Sequence, residues 1–155
     1  MGEIPEGWGV KSISELADFV KGFSYKGSEK FTEPPSKVFV TLNNVYEGGG
    51  FKPEYAWIQS DRTKERHLVR EGDLIILNTE QTKDRRLLGF PAIVYFPHNY
   101  RDETGVFSHH ITKVTPFDDR YKNYLHFHLY FTQIELYRFI VSYWLSHLGI
   151  GCKQL

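Results

Sequence analysis

Val69-Arg70-Glu71-Gly72-Asp73-Leu74-Ile75-Ile76-Leu77 (VREGDLIIL, residues 69–77) holds a turn signal and a strand signal back to back. Glycine reaches positive φ without strain, and a short carboxylate bonds nearby backbone N–H groups, so Arg70-Glu71-Gly72-Asp73 has turn chemistry. The four apolar residues from Leu74 to Leu77 follow without interruption, which predicts a central strand covered on both faces. Further β-rich runs at Val38 to Leu42, Ala56 to Ile58, Ala92 to Phe96 and Phe107 to Val114 also read as strands. Between them Glu47-Gly48-Gly49-Gly50, the polar run Asn78 to Arg86, and Pro97-His98-Asn99 read as turns and loops.

The two flanks carry helical signals. Ser12 and Glu15 have capping-box spacing, and Ile13, Leu16, Ala17 and Val20 recur at helical intervals before Gly22. This predicts a helix over about Ile13 to Lys21. Upstream, Pro5, Gly7 and Gly9 bracket Trp8 in a turn that folds the indole down as an anchor. Beyond Pro116 helical periods return around Tyr121 to Phe131, and Thr132 with Glu135 repeats the capping spacing. Ile134, Tyr137, Phe139 to Val141, Trp144 and Leu145 then cover a broad face before Gly149. The resulting class is α+β: an N-terminal helix, a central twisted and mostly antiparallel sheet, and two C-terminal helices.

At 155 residues and 18.2 kDa, the length fits one domain over residues 1–155. Hydrophobic residues at 41% and charged residues at 25% match a soluble globular chain rather than a disordered one. The lone Cys152 excludes an internal disulfide and a multi-cysteine zinc site, and it suits a reducing cytoplasm. Met1 leads into Gly2, Glu3, Ile4, Pro5 and Glu6 rather than a basic and then apolar run, so no secretory leader is expected. His126, His128, Gln133, Glu135 and Arg138 interrupt the apolar C-terminal stretch, which argues against a membrane span. The formal net charge is +0, so any attraction to a polyanion has to come from a local patch.

Several chemistries lack their residues. A base-amino methyltransferase needs an Asn- or Asp-Pro-Pro-aromatic motif, yet Pro34-Pro35 follows Glu33 and precedes Ser36. A restriction-type nuclease needs an acid two positions before a lysine, and the sequence has neither Asp-x-Lys nor Glu-x-Lys. Walker, HExxH and GxSxG motifs are likewise missing. His109-His110 and His126-Phe127-His128 resemble metal ligands. Neighbours on a strand face opposite sides, however, and an i, i+2 pair on a helix diverges by about 200°. Structural or hydrogen-bonding roles are the alternative for these histidines.

The order of segments resembles the target recognition domain of type I restriction-modification specificity subunits. The resemblance rests on Ile4-Pro5-Glu6-Gly7-Trp8, Leu16 to Phe19 leading to Gly22-Phe23-Ser24, and Val38 to Val45 as a strand followed by a polar turn. Val69 to Ile76, Pro91 to Tyr95, Phe107 to Ile111, Tyr124-Leu125 and Gly151 to Leu155 extend it across nearly the whole chain. Family members usually continue into a long spacer helix, whereas this sequence stops at Leu155, so the resemblance covers one recognition domain without that helix. It implies an α+β domain that reads one half of a split duplex DNA target and carries no chemistry of its own. It also implies a methyltransferase subunit that binds S-adenosylmethionine, a restriction subunit, and a second recognition domain or a second copy as partners.

Reading DNA takes groups that hold phosphates and groups that reach base edges. Asn78, Thr79, Gln81, Thr82, Arg85 and Arg86 follow the central strand as candidate base readers, with Lys83 on phosphate. The alternative is a solvated loop in which Glu80 and Asp84 pair with the basic residues. Arg62, Lys64 and Arg66, with His67, alternate so that an extended segment would place the basic groups on one side, as phosphate contacts. Ser24, Tyr25 and Lys26, and Asn43, Asn44 and Tyr46, follow structured elements and offer groove-type donors. Two other function classes remain open at this point. One is a small metal-dependent hydrolase or nuclease using His109 and His110, and the other is a protein-interaction domain using the C-terminal aromatic helices.

Overall fold

A computed structural model describes residues 6, 9–31, 36–79, 88–100 and 103–133. Its strands are β1 (Ala17–Lys21), β2 (Lys30–Phe31), β3 (Lys37–Val40), β4 (Ala56–Ile58), β5 (Leu68–Val69), β6 (Leu74–Leu77), β7 (Pro91–Ile93), β8 (Gly105–Phe107) and β9 (Ile111–Pro116). One helix, α1, spans residues 121–133. The class is α+β, and the strands form two sheets. The first has the order β1-β9-β6-β7 and is antiparallel throughout; the second is β2-β4-β3-β8-β5, in which only β3 and β8 run parallel.

The Gly-Asp pair makes the turn that its chemistry implies. Gly72 takes φ +85, and the Asp73 carboxylate accepts the Arg70 N–H at 2.8 Å. From that turn β6 enters the first sheet between β9 and β7. Its side chains alternate between two apolar layers. Ile75 and Leu77 join Val38, Val40, Val69 and Phe107 between the sheets, whereas Leu74 packs with Ala17, Val114 and Leu125 beneath α1. Each such fully buried aliphatic or Phe side chain contributes roughly 1.5–3 kcal/mol. A third layer, formed by Phe23, Phe39, Ile58 and Val106, covers the outer side of the second sheet.

Three features differ from the sequence expectations. The N-terminal helix is absent: Ile13–Glu15 forms one 3-10 turn, in which the Glu15 carboxylate accepts the Ser12 N–H at 2.7 Å. Ala17–Lys21 then pairs along its whole length with β9. The capping signal was sound locally, but five residues of edge pairing outweigh the helical period. There are also two sheets rather than one. Finally, the expected strand Phe107 to Val114 breaks into β8 and β9, because the chain crosses between the sheets at Ser108 to His110. The helix expected around Tyr121 to Phe131 is α1, while the second C-terminal helix and the Trp8 turn lie outside the described residues. Among the described residues no helix is long and apolar enough to cross a membrane.

Candidate nucleic-acid interface

The sheet registers bring several segment ends to one rim. In the first sheet Lys21 lies opposite Thr112, Leu77 opposite Ile111, and Ile76 opposite Pro91. In the second, Val40 lies opposite Phe107 and Leu68 opposite Val106. The exits of β1, β3, β6 and β8 therefore meet where Ser108 to His110 crosses between the sheets. A second crossover, Gly22 to Lys26, runs beside the first: Phe23 and Ser108 form a parallel bridge, and the His109 N–H reaches the Phe23 carbonyl at 2.9 Å. Gly22 permits this approach. A Cβ at that position would lie 2.3 Å from the Ser108 carbonyl oxygen and 2.5 Å from that of Phe107.

At the exit of β6, the Asn78 N–H donates to the His110 carbonyl at 3.0 Å. The Asn78 side-chain amide donates to Thr112 Oγ1 at 3.0 Å, and Thr79 Oγ1 lies 2.7 Å from His110 Nδ1. Asn78 Oδ1 and His109 Nδ1 are buried without a hydrogen-bond partner among the described residues. Gln81, Thr82, Lys83, Arg85 and Arg86 lie outside the described residues.

The first crossover carries Ser24, Tyr25 and Lys26. Ser24 and Lys26 are exposed, and the Tyr25 ring sits between Phe39 and His109, at centroid distances of 4.8 and 5.8 Å. Arg62 joins this crossover by grasping Glu29. Its Nε donates to Oε1 at 3.0 Å and its Nη2 to Oε2 at 2.5 Å, and the guanidinium lies 5.1 Å over the Phe23 ring. The hydrogen bonds from Arg62, then from the Lys26 N–H and the Ser60 hydroxyl, hold the Glu29 carboxyl down at about 2. Much of the Arg62 charge is thus committed within the chain.

Lys64 and Arg66 remain exposed, but they do not alternate along an extended segment. Glu65–His67 is a 3-10 turn whose last residue accepts the Lys64 N–H on Nδ1 at 3.1 Å. His67 is buried, and desolvation, followed by the charges of Arg66 and Lys64, lowers its pKa. Asn43 and Tyr46 are exposed beside an open hollow that Leu42, Glu47, Lys52 and Glu54 complete. Asn44 is different. It is 0% exposed, its Oδ1 accepts the Thr41 N–H at 2.8 Å, and its amide donates to the Lys52 and Glu54 carbonyls at 3.2 and 2.6 Å. It holds the loop together and is removed from the groove-reading set.

Strand geometry predicts His109 and His110 on opposite faces. In the turn that replaces that strand, their rings approach to 3.9 Å at 39°. The missing signal was the crossover itself, since a single unbroken run Phe107 to Val114 gives no local cue that it serves two sheets. Glu29 was missed for a similar reason, being 33 residues from Arg62. Among the described residues no three His, Cys, Asp or Glu side chains gather where they could hold a metal ion.

Known structures share this fold. An HsdS subunit from Thermoanaerobacter tengcongensis aligns at a TM-score of 0.62 and 17% identity, over 87% of this chain and 30% of the other. The chain has an HsdS-type fold. A chain from a study of complex assembly and conformational transition in the type I R-M system aligns at the same TM-score with 18% identity and the same coverages. The present chain thus spans less than a third of each HsdS-type neighbour's length. No protein-family model and no curated protein matches it.

Proposed function

We propose that this chain is a duplex DNA recognition module of a type I restriction-modification specificity subunit, selecting one half of a split target. The observation that carries this reading is the rim, where Asn78, Thr79, Ser24, Tyr25 and Lys26 meet around one pair of crossovers on an HsdS-type fold. Asn78 stands at this rim with its amide donating to Thr112 Oγ1, and an asparagine that turns outward on contact suits an adenine. Lys64, Arg66 and Lys26 add exposed cations for phosphate, and Lys83, Arg85 and Arg86 follow Asn78 within a few positions in the sequence.

On this reading residues 1–155 act as one cytoplasmic recognition domain with no catalytic role. S-adenosylmethionine and methyl transfer belong to a partner methyltransferase subunit, cleavage to a restriction subunit, and the other half-target to a second recognition domain or a second copy. The exposed aromatic side chains of Tyr124, Phe127 and Phe131 on α1 support an added role as a protein-docking face.

Fluorescence anisotropy with a labelled duplex tests the reading. Binding should be measurable at low salt and weaken steeply as salt rises, because phosphate contacts release counterions. Changing Lys83, Arg85 and Arg86 together to Ala should abolish most of it. Salt-independent binding, or unchanged affinity and sequence preference in the triple variant, would overturn it.

A further inference from the structure

We propose that His109 and His110 are positioning residues for target reading, fixing the crossover at Tyr25 relative to the exit of β6 so that both face one duplex. This rests on the DNA-reading function above. The two histidines complete a continuous series of contacts. Phe39, 0% exposed in the second sheet, meets the Tyr25 ring edge-on at 4.8 Å. Tyr25 meets His109 at 5.8 Å, His109 meets His110 at 3.9 Å, and His110 Nδ1 reaches Thr79 Oγ1 at 2.7 Å. Backbone bonds run alongside, from the His109 N–H to the Phe23 carbonyl and from the Asn78 N–H to the His110 carbonyl. A buried side chain of one sheet is thereby tied to the first residues beyond the central strand of the other.

The position needs an imidazole for two reasons at once. A phenyl ring would stack on His109 but offer nothing to Thr79, and an amide would bond Thr79 but lose the stacked face. Lys21 from β1, His109 from the same turn and the Thr79 hydroxyl from the β6 exit lie around the ring. Burial first, then His109 and Lys21, oppose its protonation. On this proposal the neutral ring accepts the Thr79 hydroxyl on Nδ1 and carries its hydrogen on Nε2. Protonation forces Nδ1 to donate instead, so the Thr79 hydrogen has to turn away.

The test starts from selection of binding sites out of a randomised duplex pool by the full chain. His110→Phe should lose roughly tenfold or more of the preference for the selected site, while its affinity for a fixed unrelated duplex stays within about threefold. His110→Asn, which keeps a polar atom near the Nδ1 position, should recover part of that preference. Thr79→Val should lose about as much as His110→Phe, and the double variant no more than either, because both remove the same contact. His110→Asn, whose preference should lie below that of the wild type, carries the test if His110→Phe fails to fold. Ring nitrogen NMR of the wild type should show His110 Nδ1 unprotonated at neutral pH and the preference falling as the ring titrates. If the wild type selects a site and the variants select it equally well, the positioning role fails alone. Strictly additive losses, or equal losses on both duplexes, also overturn it. A wild type that selects no site removes the DNA-reading function and this role with it.

Discussion

Asn44 and Asn78 both lie just beyond strands whose ends meet at the same rim, yet the fold uses them in opposite ways. Asn44 is fully buried and spends both polar atoms on the backbone of Thr41, Lys52 and Glu54. Asn78 is half-buried, donates once to Thr112, and leaves its Oδ1 acceptor without a partner. A buried polar atom left unpaired costs about 1–3 kcal/mol. Such a cost is tolerated at a binding surface, where a ligand removes it, and is avoided in an interior loop. On the proposed function, one asparagine belongs to the framework and the other to the surface that the framework presents.

The largest effect expected from this contrast is on Asn44. Asn44→Ala strands one buried N–H and two carbonyls, so the chain should lose about 3 kcal/mol or more, and its melting midpoint should fall by roughly 10 °C. Urea unfolding with the slope held free will show whether the loss is in stability alone. A loss below about 1 kcal/mol coupled to weakened duplex binding would break the comparison, since Asn44 would then behave as a surface residue.

Gly22→Ala comes next. The added Cβ has to push apart the Phe107 and Ser108 carbonyls, and such overpacking costs about 1–3 kcal/mol. Because the clash lies between the two crossovers, duplex selectivity should fall together with stability. Gly22→Ala with a native melting curve and altered selectivity would show that the crossovers already separate freely.

Why the central strand could be read from residues 69–77 while the rim could not is a matter of range. Gly72 needs only its own φ, and Leu74 to Leu77 need only apolar cover on two sides, so a few neighbours carry the signal. The segment Ile13 to Lys21 carried an equally clear local signal and misled, because pairing with β9, almost a hundred residues away in sequence, decided its form. The rim depends wholly on such distant partners. His110 with Thr79, Tyr25 with His109 and Arg62 with Glu29 each join segments more than 30 residues apart. Asn78, Thr79 and Tyr25, candidates for DNA contact because short polar and aromatic side chains follow a strand there, do come together at the rim. Asn44 shares that description and was misplaced, for nothing in its neighbours announces the carbonyls of Lys52 and Glu54.

Acid should destabilise the chain in two stages. His67, His110 and His126 have pKa values lowered from 6.5, chiefly by burial. The unfolded chain then binds more protons than the folded one, so the stability they contribute is complete above 6.5 and declines as pH falls below it. Glu29, held at about 2 against an ordinary 4.5, contributes stability that is complete above 4.5 and disappears toward 2. Arg62→Ala should flatten only the second stage. Unfolding free energies followed from neutral to acid pH will resolve the two, and an unchanged acid stage in Arg62→Ala would show that the Arg62–Glu29 contact is not formed in solution.

The smallest change in stability is expected at Asn78, and its smallness is the point. Asn78→Ala removes one bond to Thr112 Oγ1, the hydroxyl of a half-buried residue. A neutral bond of this kind contributes about 0.5–1.5 kcal/mol net. The variant also deletes the unpartnered Oδ1, which offsets part of that loss, so the melting midpoint should move by only a few degrees. Preference for a selected duplex should nevertheless fall by about 1–3 kcal/mol, the value of one bidentate base contact. Asn78→Asp sharpens the result. It keeps the size and the Oδ1 acceptor but replaces the donor with a charge that a phosphate-lined groove repels. If Asn78→Ala proved as destabilising as Asn44→Ala, with no effect on duplex preference, the free acceptor would be an internal defect of the fold, and the distinction between framework and reading residue would fail at the residue chosen to display it.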